Sequence, residues 1–264
     1  MKCHQFWIKE KREIRVGNDI KVISLLIGSD ISKEDALEKA DKAALNIESK
    51  IRDRRKTGEY ESEIKEFVYH KIDDKNIVTV NRYGALVLNT CQYTVLDIDD
   101  YSYEFSDLFR FFRSMTKKDR IISRFRKKLD KYPELGDSFR IYETCKGVRI
   151  IGNKYYDPDS PKFESRLRQL FVDWIYIVMC RKQKCYRARL TPKPYRMKIN
   201  TVKIKSPTDC ESEAYQNWFA EYQKKASEYS VVRLRETAGS DFSMEPAIKY
   251  HDAMSGLDSG KKLA

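Results

Sequence analysis

Residues 77–100 read IVTVNRYGALVLNTCQYTVLDIDD, and two strands joined by a turn at Tyr83-Gly84 explain that pattern best. β-Branched and aliphatic residues fill both flanks, and glycine supplies the tight turn between them. The run from Tyr93 to Asp99 is apolar enough to be a central strand. Downstream, FRIYETCKGVRIIG (139–152) is a second hairpin with Lys146-Gly147 at its turn, where Gly147 is expected to take a positive φ. CYRARLTPKPYR (185–196) gives another strand, ended by Pro192 and Pro194 because a ring nitrogen cannot donate to a ladder. VVRLRET (231–237) supplies one more.

Upstream, residues 6–27 read as β structure with a turn at Gly17-Asn18-Asp19. A helix follows from Ser32, whose capping box with Asp35 precedes Ala36, Leu37, Ala40, Ala43, Ala44, Ile47 and Ile51 at helical spacing. Helical patterns also cover residues 61–71, 102–134, 165–179, 211–229 and 245–257, and the tail SGKKLA is expected to fray. The order ββα(α)βββαββαβαβα predicts an α+β fold: one mixed, largely antiparallel sheet with helices packed on its faces. A single domain over 1–264 is expected, with a core at about 76–236, an N-terminal strand and helix element at 1–75 and a C-terminal helix and tail at 237–264.

Composition narrows the partners. Lys and Arg number 52 against 40 Asp and Glu, a formal charge of +12, so the field favours phosphates, anionic lipid or acidic proteins. With 17 Tyr and 12 Phe the chain has apolar area that a disordered polyelectrolyte lacks. The longest apolar run, LFVDWIYIVMC (170–180), is shorter than a membrane span and holds Asp173, so no membrane association is expected. The start MKCHQFWIKEKREIR lacks the apolar core of a secretory signal, which points to the cytoplasm and to six unpaired cysteines.

The chemistry centres on TVLDIDD. Alternation along a strand places Asp97 and Asp99 on one face, about 6 to 7 Å apart, a spacing that can hold a hydrated Mg²⁺ or Mn²⁺. Asp97 interrupts an apolar strand, where a charge is costly without a partner; the partner is either a metal or a basic neighbour. Asp100 could assist. The bland reading is that these acids end a strand ahead of a helix.

The second constellation is RKQKCYRARLTPKPYRMK (181–198), with eight basic residues and no acid. Alternation puts Arg187 and Arg189 together on one face, facing a cleft or neutralising the acidic pair, and Lys193 and Arg196 follow. Lys146 and Arg149 at the second hairpin, and Arg82 at the first, are further candidate phosphate ligands. Zinc is poorly supported, because four residues separate Cys180 from Cys185 and only His4, His70 and His251 are available.

VNRYGALVLNT, VLDIDD, FRIYETCKGVRIIG, CYRARLTPKPYR and VVRLRET together resemble a widespread group of bacterial hypothetical proteins, across nearly the whole chain. Over about residues 90 to 195, the DxD strand, long helix and Gly-turn hairpin are more distantly similar to the archaeo-eukaryotic primase and primase-polymerase superfamily. That resemblance implies catalytic divalent metal on Asp97 and Asp99. Arg149 stands where the superfamily has a nucleotide-contacting histidine, and Glu236 is the candidate for its third acid.

The expected function is metal-dependent nucleotidyl or phosphoryl transfer on nucleic acid or nucleotides. The alternatives are a non-catalytic nucleic-acid-binding module with a structural Asp–Arg network, and a basic subunit that meets a protein partner.

Overall fold

The computed structural model describes residues 1–52, 63–99, 115–129, 131–257 and 259–264. Its class is α+β, with strands mostly antiparallel. Strands β1 (Phe6–Val16) and β2 (Asp19–Ser29) form a long hairpin, and helix α1 (Lys33–Arg52) lies on one of its faces. Ser32 Oγ accepts from the Asp35 amide, which starts the helix. Ala36, Ala40 and Ala44 form its buried stripe, and small side chains there let Ile8, Leu25 and Ile27 come close. Leu37 and Ile51, expected inside, are exposed instead.

The next eight principal strands do not form the single sheet that the pattern suggested. They form two four-stranded sheets. One has the order β3 (Phe67–Lys71), β4 (Asn76–Val80), β5 (Leu86–Thr90), β9 (Tyr186–Arg189), every neighbour antiparallel. The other runs β11 (Val232–Ala238), β7 (Phe139–Thr144), β8 (Val148–Gly152), β6 (Thr94–Ile98), again antiparallel throughout.

β3 replaces the described part of the short helix expected over 61–71. FVYHK is rich in β formers, and Asp73 builds the turn back to β4 by accepting from the Lys75 amide at 2.7 Å and from the Asn76 side chain. In the β4–β5 hairpin Asn81 Oδ1 accepts from the amides of Tyr83 and Ala85, and Gly84 takes φ 81°.

At the β7–β8 turn the glycine is needed for another reason than the one expected. Gly147 is not among the glycines with positive φ; a Cβ there would lie 2.0 Å from the Ile98 carbonyl oxygen. Close approach to the end of β6, not turn conformation, excludes a side chain. β6 itself is buried as expected, yet it is the hydrogen-bonding edge of its sheet.

Of the long helix expected over 102–134, residues 102–114 and 130 lie outside the described residues, and α2 spans Lys117–Leu129. Its Ile121, Ile122 and Phe125 pack into the core, Phe125 edge-on to Phe139 at 5.4 Å. The helix expected at 165–179 is two helices, α3 (Phe163–Gln169) and α4 (Trp174–Gln183). Phe171 at φ 63° breaks the run, and Asp173 caps α4 by accepting from the Tyr176 amide at 3.0 Å.

Helices α5 (Glu213–Ala226) and α6 (Pro246–Met254) complete the fold. The tail does not fray in the expected way. β12 (Lys262–Leu263) pairs in parallel with β10 (Tyr229–Ser230), and the buried Ala264 donates its amide to the Ser230 carbonyl at 3.0 Å.

Candidate functional site

Strands β6 and β9, the facing edges of the two sheets, lie side by side without zipping into a ladder. Three ties fix their alignment. Thr94 Oγ1 accepts from the Tyr156 amide, and Tyr186 Oη donates to the Tyr156 carbonyl. Tyr176 Oη lies 2.9 Å from the Val95 carbonyl and 3.1 Å from that of Arg187, and it accepts from the Arg187 amide. Arg149, in register with Asp97, donates to the Arg189 carbonyl at 2.8 Å. The levels Thr94–Tyr186, Val95–Arg187 and Asp97–Arg189 ascend together, so the strands run parallel and their carboxyl ends open on the same side.

A cavity of about 230 Å³ occupies that opening, lined by Asp97, Asp99, Thr144, Arg149, Asp173, Tyr176, Arg189, Lys193 and Arg196. Chain segments far apart in sequence thus bring together two expected acids and four expected bases. Larger cavities lie elsewhere, one of about 500 Å³ beside the β1–β2 hairpin and one of about 280 Å³, mostly apolar, between α5 and α6.

Arg149 is 1% exposed and fully engaged in holding the site's frame. Its Nε and Nη2 form a fork onto Asp97 at 2.8 and 3.1 Å. Its Nη1 reaches the Arg189 carbonyl and lies 3.2 Å from His251 Nε2. Arginine only donates, so His251 Nε2 accepts, and the Nδ1 proton goes to Asp252 at 2.9 Å. Asp252 is held in turn by Tyr142 Oη at 2.8 Å and Arg140 Nη2 at 2.7 Å.

Burial alone would raise the Asp97 carboxyl; the charge and hydrogen bonds of Arg149 outweigh it and hold the group below its ordinary range. Burial drives His251 below the ordinary imidazole value, which keeps it neutral. Asp97 nevertheless keeps 34% of its side chain exposed toward the cavity.

Arg189 is different. Its Nε is buried without a hydrogen-bond partner among the described residues. Burial, and then the neighbouring Arg149 charge, pull its guanidinium down to about 10. At neutral pH it is still a cation, held where water cannot fully solvate it. Lys193 is pushed down by burial and by the charges of Arg189 and Arg196.

At the rim, Tyr195 is exposed. Partial burial would raise its phenol, but the Arg196 hydrogen bond and the charges of Lys193, Arg196 and Lys146 hold it below the ordinary value.

The remaining expected residues stand elsewhere. Arg187 does not join Arg189 in the cavity or neutralise the acidic pair; its Nη2 donates to both Glu66 oxygens, at 2.6 and 2.8 Å. Arg82 is exposed at the β4–β5 turn and is not among the cavity's lining residues. Lys146 is exposed at the β7–β8 turn, close enough to act on Tyr195 but not lining the cavity. Glu236 pairs with Arg126 on β11, the opposite edge of the sheet from β6.

Sequence reasoning missed Glu66, Tyr176, His251 and Asp252. Adjacent His251-Asp252 in a short amphipathic helix was the one visible signal.

The donor set does not fit the divalent cation expected at Asp97 and Asp99. Both Asp97 oxygens are taken by a guanidinium, whose charge would repel a metal ion beside it. Asp173 is committed to capping, Asp100 lies outside the described residues, and among the described residues no group of three His, Cys, Asp or Glu converges.

Comparison with protein-family models, curated proteins and solved structures finds no match to the chain. Among the described residues no helix is long and apolar enough to cross a membrane.

Proposed function

We propose that this protein binds the phosphate of a nucleotide or nucleic acid in the cavity between the carboxyl ends of β6 and β9, with Asp97–Arg149 as a structural pair. One observation carries the reading: Arg189 is half-buried, its Nε is buried without a hydrogen-bond partner among the described residues, and it lines a polar cavity beside Lys193 and Arg196. A partly desolvated cation with an unsatisfied nitrogen is costly to the folded chain, and an anion in the cavity relieves that cost. Phosphate suits it, because the guanidinium fork matches two phosphate oxygens. The net charge of +12 would draw polyanions toward the site.

The test is fluorescence anisotropy with a 5′-phosphorylated, 3′-labelled single-stranded oligonucleotide at low salt. Arg189→Gln should weaken binding by about tenfold or more, equivalent to ~1.4 kcal/mol. Unchanged affinity in that variant would overturn the reading. A parallel arm with Mn²⁺ and nucleoside triphosphate looks for turnover; product formation that Asp99→Ala abolishes would replace binding with metal-dependent transfer.

A further inference from the structure

The cavity is graded from floor to rim. Thr144, Arg149 and the Arg189 Nε are buried at its floor, whereas Asp99 and Asp173 are exposed at its edge. Asp173 is committed to the α4 amide, which leaves Asp99 as the rim carboxylate without such a contact among the described residues. From these positions we infer that the ligand is the terminal phosphomonoester of a hydroxyl-bearing carbon skeleton, its phosphate on Arg189 and its hydroxyls donating to Asp99. This inference rests on the phosphate reading above and refines it.

Two arguments converge. The first is charge. A monoester carries between one and two negative charges near neutrality and a diester only one. Arg149 is already neutralised by Asp97; of the other lining charges, the cations Arg189, Lys193 and Arg196 are half-buried, whereas the carboxylates Asp99 and Asp173 stand exposed at the rim, where water screens them. The monoester uses the cations more fully, and with buried residues behind it, the ester substituent leaves through the rim.

The second argument concerns Asp99. A pocket selecting a bare anion gains nothing from a carboxylate at its mouth, since like charge opposes the ligand. Asp99 is close enough for its charge to act on Lys193. A carboxylate only accepts, so the ligand atoms it favours are donors, and hydroxyls next to a phosphate ester supply them at short range. Hydrogen bonds to a charged acceptor are the stronger kind.

Calorimetry on the full chain with three probes tests this: ribose 5-phosphate, ethyl phosphate and dimethyl phosphate. Ribose 5-phosphate should bind about tenfold more tightly than ethyl phosphate, and dimethyl phosphate more weakly than either. In Asp99→Ala the advantage of ribose 5-phosphate should collapse to about onefold while ethyl phosphate still binds, because a neutral rim loses the acceptor and keeps the cations. Asp99 is exposed, so the substitution leaves the core alone.

Equal affinity for ribose 5-phosphate and ethyl phosphate in the unaltered chain overturns the role given to Asp99, as does an advantage that survives in Asp99→Ala. Dimethyl phosphate binding as tightly as ethyl phosphate overturns the monoester. If none of the three binds, the phosphate reading itself falls, an outcome separate from the other two.

Discussion

The two ends of β9 carry the same side chain in opposite circumstances. At its amino end Arg187 is 9% exposed and donates from Nη2 to both oxygens of Glu66, which also accepts from Thr79 Oγ1 at 2.6 Å. Two residues on, Arg189 has a cavity where Arg187 has a carboxylate. Alternation puts both on one face, so strand geometry cannot separate them. The partner does: one arginine is paired with a carboxylate of the fold, and the other lines a cavity with its Nε unpartnered among the described residues.

The largest effect should come from breaking the satisfied end. Glu66→Gln leaves Arg187 buried with a neutral neighbour and should cost about 3 kcal/mol of stability by urea denaturation, since truncating one member of a buried pair leaves the other uncompensated. Glu66→Leu with Arg187→Met should recover much of that loss, and neither variant should alter phosphate binding.

Asp97→Asn should cost about 2 kcal/mol, less than Glu66→Gln because Asp97 is one third exposed and water can partly replace it. If Asp97→Asn cost nothing while Glu66→Gln unfolded the chain, the Asp97–Arg149 pair would not be the frame of the site.

Acid should distinguish the ends by way of His251. Its folded value lies below the ordinary 6.5, so the unfolded chain binds the proton first. Stability from this group is full above about pH 6.5 and falls as pH drops toward the folded value, by at most about 1.4 kcal/mol per unit. Asp97, also lowered, adds its loss only below about pH 4. Thermal melts from pH 7.5 to 5 should show the first slope, and His251→Gln should flatten it.

The smallest effect has the opposite sign. Arg189→Met should stabilise the unliganded chain by about 1 kcal/mol, because it removes a desolvated cation repelled by Arg149, while destroying ligand binding. A loss of stability instead would make Arg189 a structural residue like Arg187.

Much of this was legible in the sequence. Period-two patterning locates both hairpins and β9, and Asp97 stands out as a charge in an apolar strand that needs a partner. That its partner is Arg149 follows from the β6–β8 register, which pairs the two residues directly. No local pattern encodes that register. The division of labour between Arg187 and Arg189 was invisible for the same reason, since Glu66 lies 121 residues from Arg187. FVYHK does not announce itself as a strand, because five residues offer too few positions to display a period of two against the preceding helical pattern.

The hydroxyl of Tyr176 has one further implication. It acts as a spacer at a seam that backbone hydrogen bonds would otherwise close, satisfying groups on both strands while holding them apart. A single aromatic ring therefore sets the width of the crevice, and the cavity could be resized in descendants of this chain by exchanging that one wedge, with both sheets left as they are.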